Sequence, residues 1–199
     1  ARTGPPDAAV GGDALAALLG VPEAMTVDLT ELADRAEAER RRLDELLAEA
    51  VGRIAPGRRV ADVVPELLTE HPDANGVLDE ARRLTDEVLA FTRTSGLAPV
   101  DDGVCVVGIA PESRRWAVAM LGWAAPGESE GPSYYHVTPP EPHWPQAEQA
   151  EWLTMFSRTT LPAITVHEVA PGHFTHGRAM RHVRGDVRRN LMSDAFAEG

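Results

Sequence analysis

The 199-residue chain contains no lysine, a single cysteine and only 5% aromatic residues. With Cys105 alone, neither an intrachain disulfide nor a thiolate zinc cage can form, so any metal must be held by His, Asp or Glu. No apolar run approaches the ~20 residues of a membrane helix, and nothing at the start reads as a signal peptide. Positive charge is scarce as well: 19 basic against 31 acidic residues give a net charge of -12. Phosphate-rich partners would be repelled overall, which argues against nucleic acid and against anionic membrane. The missing lysine fits a GC-rich coding sequence better than any function. The chain opens on "ARTGPPDAAV" without methionine and stops in "SDAFAEG". A longer protein with its N-terminus upstream is therefore expected, and the compartment is left open.

What is present is mostly helical patterning, on a chain long enough to bury one substantial core. Residues 1–25 read as a flexible lead. Residues 26–98 read as three packed helices. In the first, Leu29, Leu32, Ala33, Ala36, Leu43, Leu46, Leu47, Ala50 and Ile54 recur three and four apart. Asp28 with Glu31 is a capping-box start, and "APG" at 55–57 is a stop. A shorter helix is expected in "DVVPELLTE", with Pro65 in its first turn. The third runs from about Asn75 to Thr94 and ends at Gly96.

Residues 99–140 change character. "GVCVVGIAP" is a β-branched run and predicts a short strand. "RWAVAMLGWAAPG" and "PSYYHVTPP" flank a Gly/Ser/Glu turn and predict a small hairpin or extended ribbon. At 138–145, "TPPEPHWP" is a Pro-rich link that can lie over a cleft, and 141–199 read as the metal-site helices. "PQAEQAEWLTMFSRT" returns to helical spacing with Leu153 and Phe156 inward, and a Thr159/Thr160 cap opens the next helix.

That last helix carries "ITVHEVAPGHFTH", with three histidines and a glutamate within ten residues. His167 and Glu168 stand together as in an HExxH zinc helix, but the next histidine is six residues on. In an unbroken helix six residues separate two imidazoles by about 120° and ~9 Å, too far to share an ion. Pro171 breaks the helical hydrogen bonding and Gly172 permits a sharp turn, so a bend can return His173 to His167. The same residues also fit a plainer arrangement: Pro-Gly ends one helix, His173 starts the next, and the histidines are solvated.

"VHEVAPGH", preceded by "SYYHVTPP" and followed by "FAEG", resembles a bacterial zincin-like metallopeptidase family catalogued as domain of unknown function 885. Its members share H-E-x-x-P-G-H and, further on, a helix bearing E-G-W-A. The resemblance implies a mainly α-helical zincin-like fold with a small β-ribbon before the motif helix. It also implies His167, His173 and Glu198 as Zn²⁺ ligands and Glu168 as catalytic base. The chain ends where Trp-Ala would follow, so later family helices fall beyond Gly199. Where members often carry Gln, this chain has His176, which can add a ligand, donate to substrate or face water.

The expected activity is zinc-dependent hydrolysis of peptide or small amide bonds, through a water that the metal activates. Glu168 would relay that water's proton to the leaving amine. Tyr134, Tyr135, His136 and His176 are donor candidates for the tetrahedral intermediate. The tyrosine pair can equally pack on an apolar face, or "PSYYHVT" can be an exposed edge strand that aligns an extended peptide. His71, His143 and His182 read as surface residues. Arg181, Arg184, Arg188 and Arg189 could bind a substrate carboxylate, but on a helix of an acidic protein they read as solvent-screened pairs. Two rivals stand beside the peptidase. One is an inactive helical binding or structural module derived from such an enzyme, and the other is a metalloenzyme acting on another carbonyl or ester bond.

Overall fold

The computed structural model describes residues 9–100, 103–125, 127–128, 131–190 and 198. They fall into two compact units, one within Ala1–Val60 and Met192–Gly199 and the other within Ala61–Leu191.

In the first unit, part of the expected flexible lead is helical: α1 spans Gly12–Gly20, followed by a 3-10 turn at Val21–Glu23. The Ala/Leu-rich "DALAALL" has strong intrinsic helix propensity, which the flanking Gly and Pro residues obscured. Helix α2 spans Leu29–Ile54, and the Asp28 carboxylate accepts from the backbone N–H groups of Thr30 at 2.8 Å and Glu31 at 3.2 Å. Only half of the capping box forms, because the Glu31 side chain pairs forward with Arg35 at 2.7 Å. The "AEAERRRLDE" face is a ladder of exposed pairs, Arg40 with Glu37 and Asp44, and Arg42 with Glu39. Such pairs support a helix by about 0.3–0.5 kcal/mol each. On the apolar side Val51 is buried, whereas Leu43, Leu46, Leu47 and Ile54 stay exposed.

In the second unit, α3 spans Val60–Leu68 and begins earlier than expected. Pro65 is therefore the sixth helical residue and not in the first turn, and the Ala61 carbonyl forgoes its helical partner. Helix α4, Val77–Ser95, ends on Gly96 at φ 67°. It buries Val77, Ala81, Leu84, Thr85 and Thr92 along one stripe. Strands β1 (Cys105–Ile109), β2 (Ala119–Gly122) and β3 (Ser133–Val137) form a sheet in the order β1-β3-β2, with β3 parallel to β1 and antiparallel to β2. The hairpin and the separate first strand are thus both present, and β3 is central. A substrate strand cannot add to "PSYYHVT", because both of its edges are already paired; the edge strands beside it are β1 and β2.

Helix α5, Gln146–Leu153, leads through a 3-10 turn at Thr154–Phe156 to α6, Thr160–Glu168. The cap of α6 comes from Ser157, whose hydroxyl accepts from the Thr160 N–H at 3.1 Å, while Thr159 makes no side-chain cap. Helices α7, His173–Met180, and α8, Asp186–Asn190, follow. Val77, Ala81 and Leu84 of α4, Tyr135 and Val137 of β3, Phe156, Leu161, Val169 and Phe174 make one apolar core. Among the described residues no helix is long and apolar enough to cross a membrane.

Phe156 is fully buried at the centre of this core. Phe156→Ala should therefore destabilise the protein by about 3–5 kcal/mol. The loss should appear as a lower urea midpoint with an unchanged slope.

Candidate functional site

Helix α6 stops at Glu168 and α7 starts at His173, so the whole reversal is made by Val169–Gly172. Val169 and Ala170 are buried and anchor the turn in the core. The Val169 N–H still donates to the Thr165 carbonyl at 2.9 Å, after which the Gly172 N–H reaches back to Val166 O at 3.1 Å. The Ala170–Pro171 peptide is cis. Gly172 passes so near the end of α6 that a Cβ there would lie 1.8 Å from the His167 carbonyl oxygen. No side chain fits this approach, which is the physical reason for glycine. Thr175 closes the new helix by donating its hydroxyl to the carbonyls of Pro171 at 2.6 Å and Gly172 at 2.9 Å.

The reversal brings the two imidazoles together. The rings of His167 and His173 lie 4.4 Å apart between centroids at an interplanar angle of 71°. His173 is buried at 9% exposure and His167 is exposed, so the pair sits at a boundary between core and solvent. Glu168, the next residue after His167, is buried at 7% exposure. A pair of imidazoles this close is a donor set that suits one borderline-soft cation with further oxygen ligands.

Trp123, which sequence reasoning missed, locks the second histidine. Its indole N–H donates to the His173 carbonyl at 2.7 Å, and its ring meets those of His173 and His176 edge-on at 5.5 and 6.5 Å. Gly177 makes room, since a Cβ there would lie 2.5 Å from the indole. The signal was in the sequence as a glycine four residues after His173, a bare patch one helical turn along the same face. Half-buried His176 thus stands beside the pair, against the same indole.

The tyrosines separate, because successive residues of β3 point to opposite faces. Tyr135 is fully buried, with its hydroxyl 3.3 Å from the Thr165 hydroxyl on α6, one turn before Glu168. Burial holds its phenol well above the ordinary tyrosine range; the Thr165 hydrogen bond offsets part of this and the Glu168 charge adds to it. It is a core residue beneath the site and not an open donor. Tyr134 is 44% exposed on the opposite face, stacked edge-on with His136 at 5.6 Å, and neither is brought to the histidine pair. His136 is held below the usual histidine range, by burial first and by Arg114 second.

Glu198 is exposed and belongs to the first unit, and the helix expected to bear it falls at 191–197, outside the described residues. Of the remaining histidines, His143 and His182 are exposed, while His71 is half-buried with Nδ1 2.9 Å from the Pro72 carbonyl. The arginines do not share one helix, because α7 ends at Met180 and α8 begins at Asp186. Arg181 instead reaches the carbonyls of Ala125 and Glu128, and Arg189 pairs with Asp186. The Arg188 side chain lies outside the described residues. Cys105 is half-buried on β1, and burial pushes its thiol up to about 11, away from the thiolate form that reacts.

A family model described as "Bacterial protein of unknown function (DUF885)" matches residues 1–199. No curated protein matches the chain. Among solved structures, a candidate lipoprotein of unknown function from Shewanella oneidensis is similar at a TM-score of 0.72 and 18% identity, over 92% of this chain and 34% of that one. At that identity the likeness concerns the fold alone. The chain spans about a third of the length of that protein.

Gly172→Ala should force the turn open and destabilise the protein by at least the roughly 1–3 kcal/mol of an overpacked site. Gly108→Ala on β1, where a Cβ meets nothing within 4 Å, should change stability by no more than about 0.5 kcal/mol. Urea titration of both variants checks the contrast, and equal midpoints would contradict the close approach at Gly172.

Proposed function

The chain belongs to the bacterial family of unknown function DUF885, and from that premise we propose that it carries the active site of a zinc-dependent hydrolase, a metallopeptidase cleaving peptide or small amide bonds. The observation that carries this reading is the 4.4 Å approach of the His167 and His173 rings with Glu168 next in the chain. Two imidazoles folded onto each other by a tight turn, with a buried carboxylate next in the chain, are the residue types that a catalytic zinc site uses.

In this reading His167 and His173 would hold Zn²⁺ through ring nitrogens, and the family resemblance implies Glu198 as the third, carboxylate ligand. Zinc held there would supply Lewis acidity for the scissile carbonyl and a water of pKa lowered toward ~7. Glu168 accepts that water's proton and delivers it to the leaving amine nitrogen. Its burial excludes competing solvent and keeps the carboxylate from wandering. Trp123 fixes the backbone and ring of His173, and Tyr135 with Thr165 forms the floor beneath Glu168. His176, on the same face as the pair, donates to the oxyanion of the tetrahedral intermediate. An extended substrate lies along the edge of β2, which ends next to Trp123.

Metal analysis of the purified protein should find one zinc per chain, removable by chelator. Glu168→Gln should keep the zinc and slow hydrolysis of a mixed peptide library by about 10²–10⁴-fold, the usual contribution of a general base. His173→Ala should lose the metal. A protein that takes up no zinc would favour an inactive helical module, and loss of zinc from Glu168→Gln would make Glu168 a ligand in place of a base.

A further inference from the structure

A pocket lies at the end of β2 opposite Trp123. Val118, Trp144, Glu148, Glu151, Trp152 and Met155 line a pocket of about 520 Å³. Glu148, Glu151, Trp152 and Met155 are spaced i, i+3, i+4 and i+7, so α5 and the turn after it present them on one face. The fourth wall is Trp144, which comes from the Pro-rich link. Its ring stands edge-on to Trp152 at 5.3 Å, and both indoles are half-buried.

This aromatic pair is anchored. The Trp152 indole N–H donates to the Thr138 carbonyl at 2.7 Å, and the Gln149 amide donates to the Trp144 carbonyl at 2.9 Å. The rim is acidic and unmatched: Glu148 and Glu151 are exposed, with no ion-pair partner among the described residues. Arg115, the nearest arginine in sequence to Val118, is engaged with Glu141 at 2.7 Å. A pocket with apolar indole walls and two carboxylates at its mouth complements a cation on an apolar stem. Indole faces attract guanidinium and ammonium groups, and the methylenes of arginine or lysine bury against the walls while the head stays at the rim.

Its position relative to the histidine pair names what would carry that cation. Val118 immediately precedes β2 and Trp123 immediately follows it. Five residues of strand span about 16 Å. A peptide extended along β2 with its scissile bond at the histidines therefore reaches the pocket with a side chain about four or five residues away. We propose that this pocket is a specificity subsite for an arginine or lysine side chain of the peptide substrate, a proposal that rests on the peptidase reading above.

The test separates the two. The metal-free protein is titrated calorimetrically with alanine hexapeptides bearing one arginine, walked through each position, and with the matching norleucine peptides. The best arginine peptide should bind about tenfold more tightly than its norleucine counterpart, within reach of a partly desolvated cation–indole contact backed by two carboxylates. That advantage should fall with added salt. It should vanish in the Glu148→Gln/Glu151→Gln double variant, whose exposed substitutions leave the core untouched. Equal binding of both peptides, no measurable binding of either, or an arginine advantage that survives the double variant would each overturn the subsite. Peptide turnover by the zinc-loaded protein with no basic preference would overturn the subsite and leave the hydrolase standing. An arginine preference in binding with no turnover would do the reverse.

Discussion

The arrangement of the site depends on one backbone approach, that of Gly172 to the carbonyl of His167. Any side chain at 172 would collide with the end of α6, so α7 can begin where it does only because the Cβ is missing. From that contact follow the paired imidazoles, the burial of Val169 and Ala170 under them, and the direction in which α7 leaves. A second missing Cβ, at Gly177, lets the Trp123 indole close over the same helix. Two glycines on either side of His173 thus convert a flexible ring into one whose backbone and edge are both held.

The sheet supplies what the turn cannot. Because β3 lies between β1 and β2, its inner residues Tyr135 and Val137 are sealed against α4 and α6. This gives α6 a rigid bed on which Thr165 meets Tyr135 and Glu168 follows one turn later. The short antiparallel β2 is left at the margin, running between the Trp144/Trp152 pocket and Trp123 beside the histidine pair. Catalytic and binding groups held on helices and strands keep their geometry better than groups on loops.

Charge is distributed with the same logic. The arginines of α2 and α4 are mostly occupied in exposed pairs within their own helices, so they contribute solubility and a few tenths of a kcal/mol apiece. The acidic residues at the Trp144/Trp152 pocket have no such neighbours. On a chain of net charge -12 this makes the pocket a place where a basic side chain is favoured locally as well as by the long-range field.

Much of this was legible before any coordinates. The 3.6-residue stripes located α2 and α4, and the β-branched run at 105–109 located β1. Local stop signals such as Gly96 worked because a helix end is decided by φ at one residue. The motif itself said that a Pro-Gly step could fold His173 back to His167, since bend and spacing are both local properties. What remained hidden was non-local. Whether Tyr134 or Tyr135 faced α6 was set by the register of β3, and a one-residue shift would have exchanged them. That β3 was central, with β1 and β2 at the edges, depended on which strand β1 chose as partner. The start of α3 ahead of Pro65 and the capping of α6 by Ser157 were decided by contacts the propensities do not encode. Trp123 and His173 are fifty residues apart, and no periodicity links them. The sequence by itself determined the helical segments and the capacity to bend at 171–172, because those follow from dihedral preferences of neighbouring residues. Only the tertiary structure decided which side chains meet there, because strand order and close packing bring together residues whose separation along the chain carries no signal.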